Sequence, residues 1–177
     1  HRKALCQAIN NNDNEKKQAI AKKYNIDIST IGNLMIDDTL IRHIDAIPIS
    51  LAMSQAAVES GWGTSRFALQ GNALFGQWVW DESKGIKPKF ASDKNAVVRK
   101  FETLDESVKA YMLNLNTHIA YSAMRAKRKR NCSQKKLIGG YDLANWMGNY
   151  AITRDEYIKT LRLVIKANKL EILDDLI

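Results

Sequence analysis

Residues 55–80 read QAAVESGWGTSRFALQGNALFGQWVW. One acidic residue, Glu59, stands there among small and aromatic side chains, with three of the chain's four tryptophans and four of its nine glycines. Upstream, Ile49, Ala52, Met53 and Ala56 recur at the spacing of one helical face. Pro48 suits the first turn of such a helix, where its missing N–H would have no partner anyway. Gly61 and Gly63 stop it, because glycine readily takes the left-handed conformation that closes helices. The pattern predicts a helix from Pro48 to about Ser60, with Glu59 at the edge of its apolar stripe.

A carboxyl at the rim of a core is partly desolvated, which disfavours its charged form and raises its pKa. A general acid that cleaves a glycosidic bond must hold a proton near neutral pH, so the position suits that work. Ala52, Ala56 and Ala57 leave room for another helix to pack closely and fix Glu59. The plainer alternative is a solvated glutamate near a helix end, although negative charge is unfavourable at that end. Trp62, Trp78 and Trp80 follow Glu59, and sugar rings present apolar faces that pack on indoles. Trp78 and Trp80 alternate in a short extended segment, which lets both face one side. Trp78 is the candidate to line a cleft, and Trp62 is expected to be a packing residue. Ser60, Ser65 and His118 lack the GxSxG elbow of a hydrolytic triad, and His118 reads as structural.

Working outward, most of the chain reads as helix: 2–10, 14–24, 34–45, 105–130, 141–149 and 154–170. Leu34, Ile41 and Ile44 supply apolar positions of the third, with Ser29 or Thr30 as its cap. GIKPKF and AVVRKFE, around the turn-like SDKN, predict a hairpin within 86–102. The expected fold is mainly α with a small β-hairpin lobe.

The 177 residues suffice for a real core, and the hydrophobic share of 45% is that of an ordinary globular protein. No apolar run is long enough to span a bilayer, and HRKALCQAINNN lacks the apolar centre of a signal peptide. Lys and Arg outnumber acids 27 to 19, which favours an anionic partner of unspecified kind. Cys6 and Cys132 show no metal-ligand spacing. They leave open one disulfide, if the protein is exported, or two buried thiols, with the thiols the favoured reading. Arg125–Arg130 reads RAKRKR, with Lys135 and Lys136 following. A solvated helix end is the first reading of this run, a flank for an acidic glycan the second, and a nucleic-acid patch the third.

The blocks ESGWGTSRFALQGNALFGQW, FETLDESVKAYMLNLNTHIAYSAMR and NYAITRDEYIKTLRLVIKANKL, in that order, resemble bacterial peptidoglycan glucosaminidases, the family 73 glycoside hydrolases, and their Bax-like branch in particular. The resemblance covers most of 47–170. It implies a lysozyme-like helical domain over 46–177 with its β-lobe beside the cleft, and leaves 1–45 as a helical extension packing on it. It implies an endo-β-N-acetylglucosaminidase that cuts the β-1,4 bond between N-acetylglucosamine and N-acetylmuramic acid in peptidoglycan. Glu59 falls on the family's catalytic acid and Tyr150 on the tyrosine of its C-terminal motif. Phe75 and Gly76 match the LFG block that lines the cleft. Asp93, with Glu82 behind it, is the best positional match for a second acid on the β-lobe, although a plain turn residue is the favoured reading of Asp93. No cofactor, no metal and no nucleic acid are implied. A monomer acting in the periplasm or outside the cell is expected. The alternative is a non-catalytic glycan-binding module or a basic nucleic-acid-binding module.

Overall fold

The computed structural model describes residues 1–89 and 96–176. Asp93 and the SDKN turn therefore lie outside the described residues. Four helices come first: α1 (Arg2–Asn10), α2 (Asn14–Lys23), α3 (Asn33–His43) and α4 (Ile49–Ser60). A short α5 (Arg66–Gly71) precedes strands β1 (Trp78–Val79), β2 (Gly85–Ile86) and β3 (Val97–Arg99). Helices α6 (Leu104–Thr117), α7 (Ser122–Arg128), α8 (Gly140–Leu143) and α9 (Asp155–Ala167) follow, and a 3-10 segment (Leu170–Leu176) comes after them. The fold is mainly helical with a small antiparallel sheet, as the sequence predicts. The chain divides into two units, residues 1–51 with 113–177, and residues 52–112.

In the first unit, Leu5 of α1, Ile20 and Ala21 of α2, and Leu40 and Ile44 at the end of α3 form a buried cluster. Burying a side chain of this size stabilises by about 1.5–3 kcal/mol. Asp13 caps α2 by accepting from the Lys16 N–H at 2.9 Å. The expected cap of α3 is displaced: Asp27 accepts from both the N–H and the hydroxyl of Ser29, closing a local turn. Gly32 then takes the cap position. Leu34, expected on the apolar face, is fully exposed because it sits in the first turn, ahead of the buried stripe. Along α9, Tyr157, Leu161 and Ile165 are buried at intervals of one turn.

Two contacts across long sequence separations organise this unit. Asp174, in the C-terminal 3-10 segment, accepts from the Ser50 N–H at 2.8 Å and its hydroxyl at 2.7 Å, and from the Gly140 N–H at 2.9 Å. One carboxylate thus serves the N-termini of both α4 and α8, where helix dipoles favour negative charge. Cys6 and Cys132 form a disulfide across a separation of 126 residues, which corrects the expectation of free thiols. Beside it, the Asp45 carboxylate accepts two bonds from Arg130, each of 2.9 Å, and pairs with Arg2 at 3.2 Å.

The basic run is not a solvated helix end. Arg125 and Arg128 are both buried at 2% exposure. Arg125 donates to the carbonyls of Leu115 and His118, just where α6 ends. Arg128 reaches the carbonyls of Arg42 and His43 in the last turn of α3. Helix C-termini leave carbonyls unpaired and carry partial negative charge, so buried guanidinium groups satisfy both. Lys129 pairs with Asp38 and Arg130 with Asp45. Burial pushes Arg128 down to about 10, against the opposing pull of Asp45 and with the repulsion of Arg125. The predicted helix over 105–130 is also split: the His118 ring accepts from the Ala120 N–H and caps a 3-10 turn before α7 starts. His118 is thus structural.

In the second unit, β3 is the central strand of the order β1-β3-β2. Trp78 faces Val98 in the first pairing, and Ile86 faces Val98 in the second, both antiparallel. The predicted hairpin is therefore β2 with β3, and Trp78–Val79 joins it as a third strand. Val97 and Val98 are buried. Helix α5, not anticipated, is capped by the Ser65 hydroxyl accepting from the Ala68 N–H.

Candidate active site

Helix α4 carries Glu59 in its last turn, half-buried. The face that is buried is different from the one expected. Leu51, Ser54 and Gln55 are completely buried, whereas Met53 is 46% exposed. The polar residues go inward because partners await them; Tyr111 donates to the Gln55 side-chain oxygen at 2.7 Å.

The turn after Glu59 is fastened by its neighbour. Ser60, only 1% exposed, donates its hydroxyl to the Ala56 carbonyl and accepts from the Gly63 N–H at 2.7 Å. Its hydroxyl is committed to this turn. Gly61, Trp62 and Gly63 have φ of 57°, 58° and 78°. A tryptophan held in the left-handed region costs about 1–2 kcal/mol. The conformation leaves Trp62 64% exposed, so it is not the packing residue the sequence suggested.

The GNALFG block is sewn down along its length. Gly71 lies so close to the sheet that a Cβ there would meet the Ile86 Cδ1 at 2.8 Å. Asn72, in the left-handed conformation, donates its amide to the carbonyls of Phe101 and Glu102, each at 3.0 Å. The Leu74 N–H donates to the buried Ser107 hydroxyl at 3.2 Å. Phe75 stacks on Tyr111 with ring centroids 3.9 Å apart and planes 10° apart. Gly76 follows with φ +60°, and a Cβ built on it would stand 3.5 Å from Oε2 of Glu59. The structure thus brings Gly76 to Glu59, with Phe75 the residue before it in the chain.

Trp78 and Trp80 are 50% and 69% exposed, available to a flat apolar ligand face. Tyr150 belongs to the other unit, on a 3-10 turn (Gly148–Tyr150). It is half-buried, with its ring stacked on Tyr157 at 5.7 Å and tilted against Tyr121 at 6.0 Å. Glu82 is an exposed residue whose carboxylate pairs with Lys87 at 3.0 Å. Asp81, which the sequence did not single out, is held at about 2 by hydrogen bonds from the Ser83 hydroxyl, Lys84 and the Ser83 N–H. It stays ionised throughout the physiological range. Gln55, Ser107 and Tyr111 also escaped the sequence reading. The one available signal was that Gln55 and Glu59 are one helical turn apart. Among the described residues no group of His, Cys, Asp and Glu is placed to hold a metal ion, and no helix is long and apolar enough to cross a membrane.

Residues 40–170 match the sequence pattern of the glucosaminidase family, described as mannosyl-glycoprotein endo-beta-N-acetylglucosaminidase. The chain is 40% identical to Protein bax of Escherichia coli (strain K12) over 111 residues, 62% of this chain and 38% of that protein. It thus spans well under half the length of that relative. The catalytic domain of the autolysin Auto from Listeria monocytogenes superposes with a TM-score of 0.54 at 22% identity, covering 96% of this chain and 87% of that one. That likeness establishes a shared fold.

Proposed function

Because the chain belongs to the glucosaminidase family of glycoside hydrolases, we propose that it is a peptidoglycan endo-β-N-acetylglucosaminidase with Glu59 as its general acid. The bond cut is the β-1,4 linkage between N-acetylglucosamine and N-acetylmuramic acid. The observation that carries the reading is the setting of Glu59. It is half-buried in the last turn of α4, with Gly76 facing its carboxylate where any larger residue would place a Cβ in contact with Oε2. Partial burial and the negative end of the helix both favour the neutral acid, which must give its proton to the leaving oxygen.

Loss of the leaving group produces an oxocarbenium-like centre that needs stabilising. Asp93 is the proposed second carboxylate, and the substrate's own N-acetyl oxygen is the other source of that stabilisation. Tyr150 is proposed to orient the acetamido group or a hydroxyl of the reacting sugar. Phe75, Gly76 and Trp78 are proposed to line the glycan groove, which the exposure of Trp78 supports. Residues 1–45 are proposed to be an extension packed on the catalytic domain, which its disulfide to Cys132 supports. The disulfide also fits action in the periplasm or outside the cell, where such bonds persist. The rival nucleic-acid reading rested on the basic run, most of which is buried or paired.

The test is mass spectrometry of borohydride-reduced fragments from purified peptidoglycan treated with the protein or with Glu59→Gln. Fragments ending in reduced N-acetylglucosamine, abolished by the substitution, are expected. Reduced or anhydro muramic ends would assign a neighbouring bond instead. No release by either protein, across salt and pH, would favour a glycan-binding role.

A further inference from the structure

Gln55 lies one helical turn before Glu59 on α4, and its side chain is completely buried. Tyr111, equally buried, donates its hydroxyl to Gln55 at 2.7 Å. The same tyrosine presents its ring face to Phe75 at 3.9 Å. Phase and direction of that ring are thus set at both its edge and its face. Phe75 is followed by Gly76, where a side-chain Cβ would stand 3.5 Å from Oε2 of Glu59, so the glycine faces that carboxylate. The path starts on α4 and returns to α4 one turn later. It runs through two side chains that no motif in the sequence singles out.

We propose that Tyr111, anchored by Gln55, is a positioning residue that fixes the Glu59 carboxylate through Phe75 and Gly76. Packing alone does not require the pair. A phenylalanine at 111 and a leucine at 55 would fill similar volume without burying a hydroxyl and an amide, groups that are costly to desolvate. What the polar pair adds is direction: a hydrogen bond fixes the rotation of the phenol, and the phenol fixes the aromatic wall. A wall that slackens lets the acid carboxyl turn and admits water beside Oε2. Both changes act on proton transfer, which depends on geometry within an ångström and on solvation of the acid.

The inference rests on the reading of Glu59 as the acid, so the test carries one readout that needs no turnover. Glutamate labelled with 13C at the carboxyl, assigned with Glu59→Gln, gives the titration of Glu59 directly by NMR. It is compared in the whole protein, Tyr111→Phe and Phe75→Leu, with kcat, KM and pH–rate profiles on peptidoglycan alongside. Tyr111→Phe is expected to lower kcat by about tenfold with KM within about twofold. It should also move the Glu59 titration, and the matching limb of the profile, by about half a unit or more. Phe75→Leu, which keeps the Gln55 bond and removes the stack, is expected to move the titration in the same way. An unmoved titration and profile in both variants, whatever happens to thermal stability, would overturn the positioning role. Absence of turnover by the unsubstituted protein, with a titration that still moves, would refute the acid assignment and leave the brace standing.

Discussion

The disulfide gives the largest single effect open to measurement. Its two cysteines are separated by 126 residues. Closing a loop of that length removes about 5 kcal/mol of chain entropy from the unfolded state. The native side of the balance changes little on reduction. Asp45 still holds Arg2 and Arg130, and Arg2 still donates to the carbonyls of Arg130 and Asn131 at 2.9 and 3.0 Å. The folded ends therefore stay together while the unfolded chain is released. Cys6→Ala with Cys132→Ala, or reduction by a phosphine, should lower stability by about 3–5 kcal/mol. For a chain of 177 residues the entropy of unfolding near the midpoint is about 0.37 kcal/mol/K, so the midpoint should fall by roughly 8–13 °C. Calorimetry with and without reductant measures this, and urea titration should show a larger m-value for the reduced chain, whose unfolded state is more expanded. A midpoint that moves by less than about 2 °C, together with two titratable thiols in the denatured, unreduced protein, would refute the reasoning.

Three further outcomes follow from single side chains. Asp174→Ala removes a carboxylate that caps two helices, and chemical denaturation should register a loss of about 2–3 kcal/mol, whereas Asp175→Ala should be near neutral. Burial, with Arg125, Arg128 and Arg42 adding to it, lowers the pKa of His43 below the usual 6.5. The unfolded state then binds the extra proton first, so this contribution is complete above about pH 6.5 and is lost as the pH falls towards the folded value; His43→Gln should flatten the pH dependence of the midpoint across that window. Arg128→Ala should cost about 2–4 kcal/mol by leaving a cavity and unpaired carbonyls, while Arg128→Met, which keeps the apolar stem, should cost distinctly less in the same denaturation assay.

The boundaries of α4 were legible because they rest on local rules: a proline before the first turn and glycines after the last. Glu59 is half-buried as expected, but beside a different face from the stripe that placed it there. The identity of the buried face was not legible. Ser50 and Gln55 lie outside the predicted stripe, and both are buried where Asp174 and Tyr111 supply partners from 124 and 56 residues away. The run RAKRKR misled for the same reason. Local composition speaks of solvation, whereas Arg125 and Arg128 answer to carbonyls at the ends of α6 and α3. Trp62 reads as a packing residue because a tryptophan is more often core than surface, and nothing in ESGWG announces that three successive residues take positive φ. Helix α5 had a usable signal, Ser65 as a cap, but it spans only Arg66–Gly71, too short for periodicity to declare itself.

Turning the arginines inward changes what the formal charge of +8 means outside the molecule. An ion-exchange matrix or an anionic wall polymer samples only the charges it can approach. From Arg125 to Lys136, those are chiefly Lys127, Lys135 and Lys136, exposed side chains without an ion pair among the described residues. Lysines on flexible stems give a diffuse, easily displaced attraction, unlike the forked grip of arginine. Attraction of a polyanion to this stretch should therefore be weakened by modest salt, which salt-gradient elution from a cation exchanger would register.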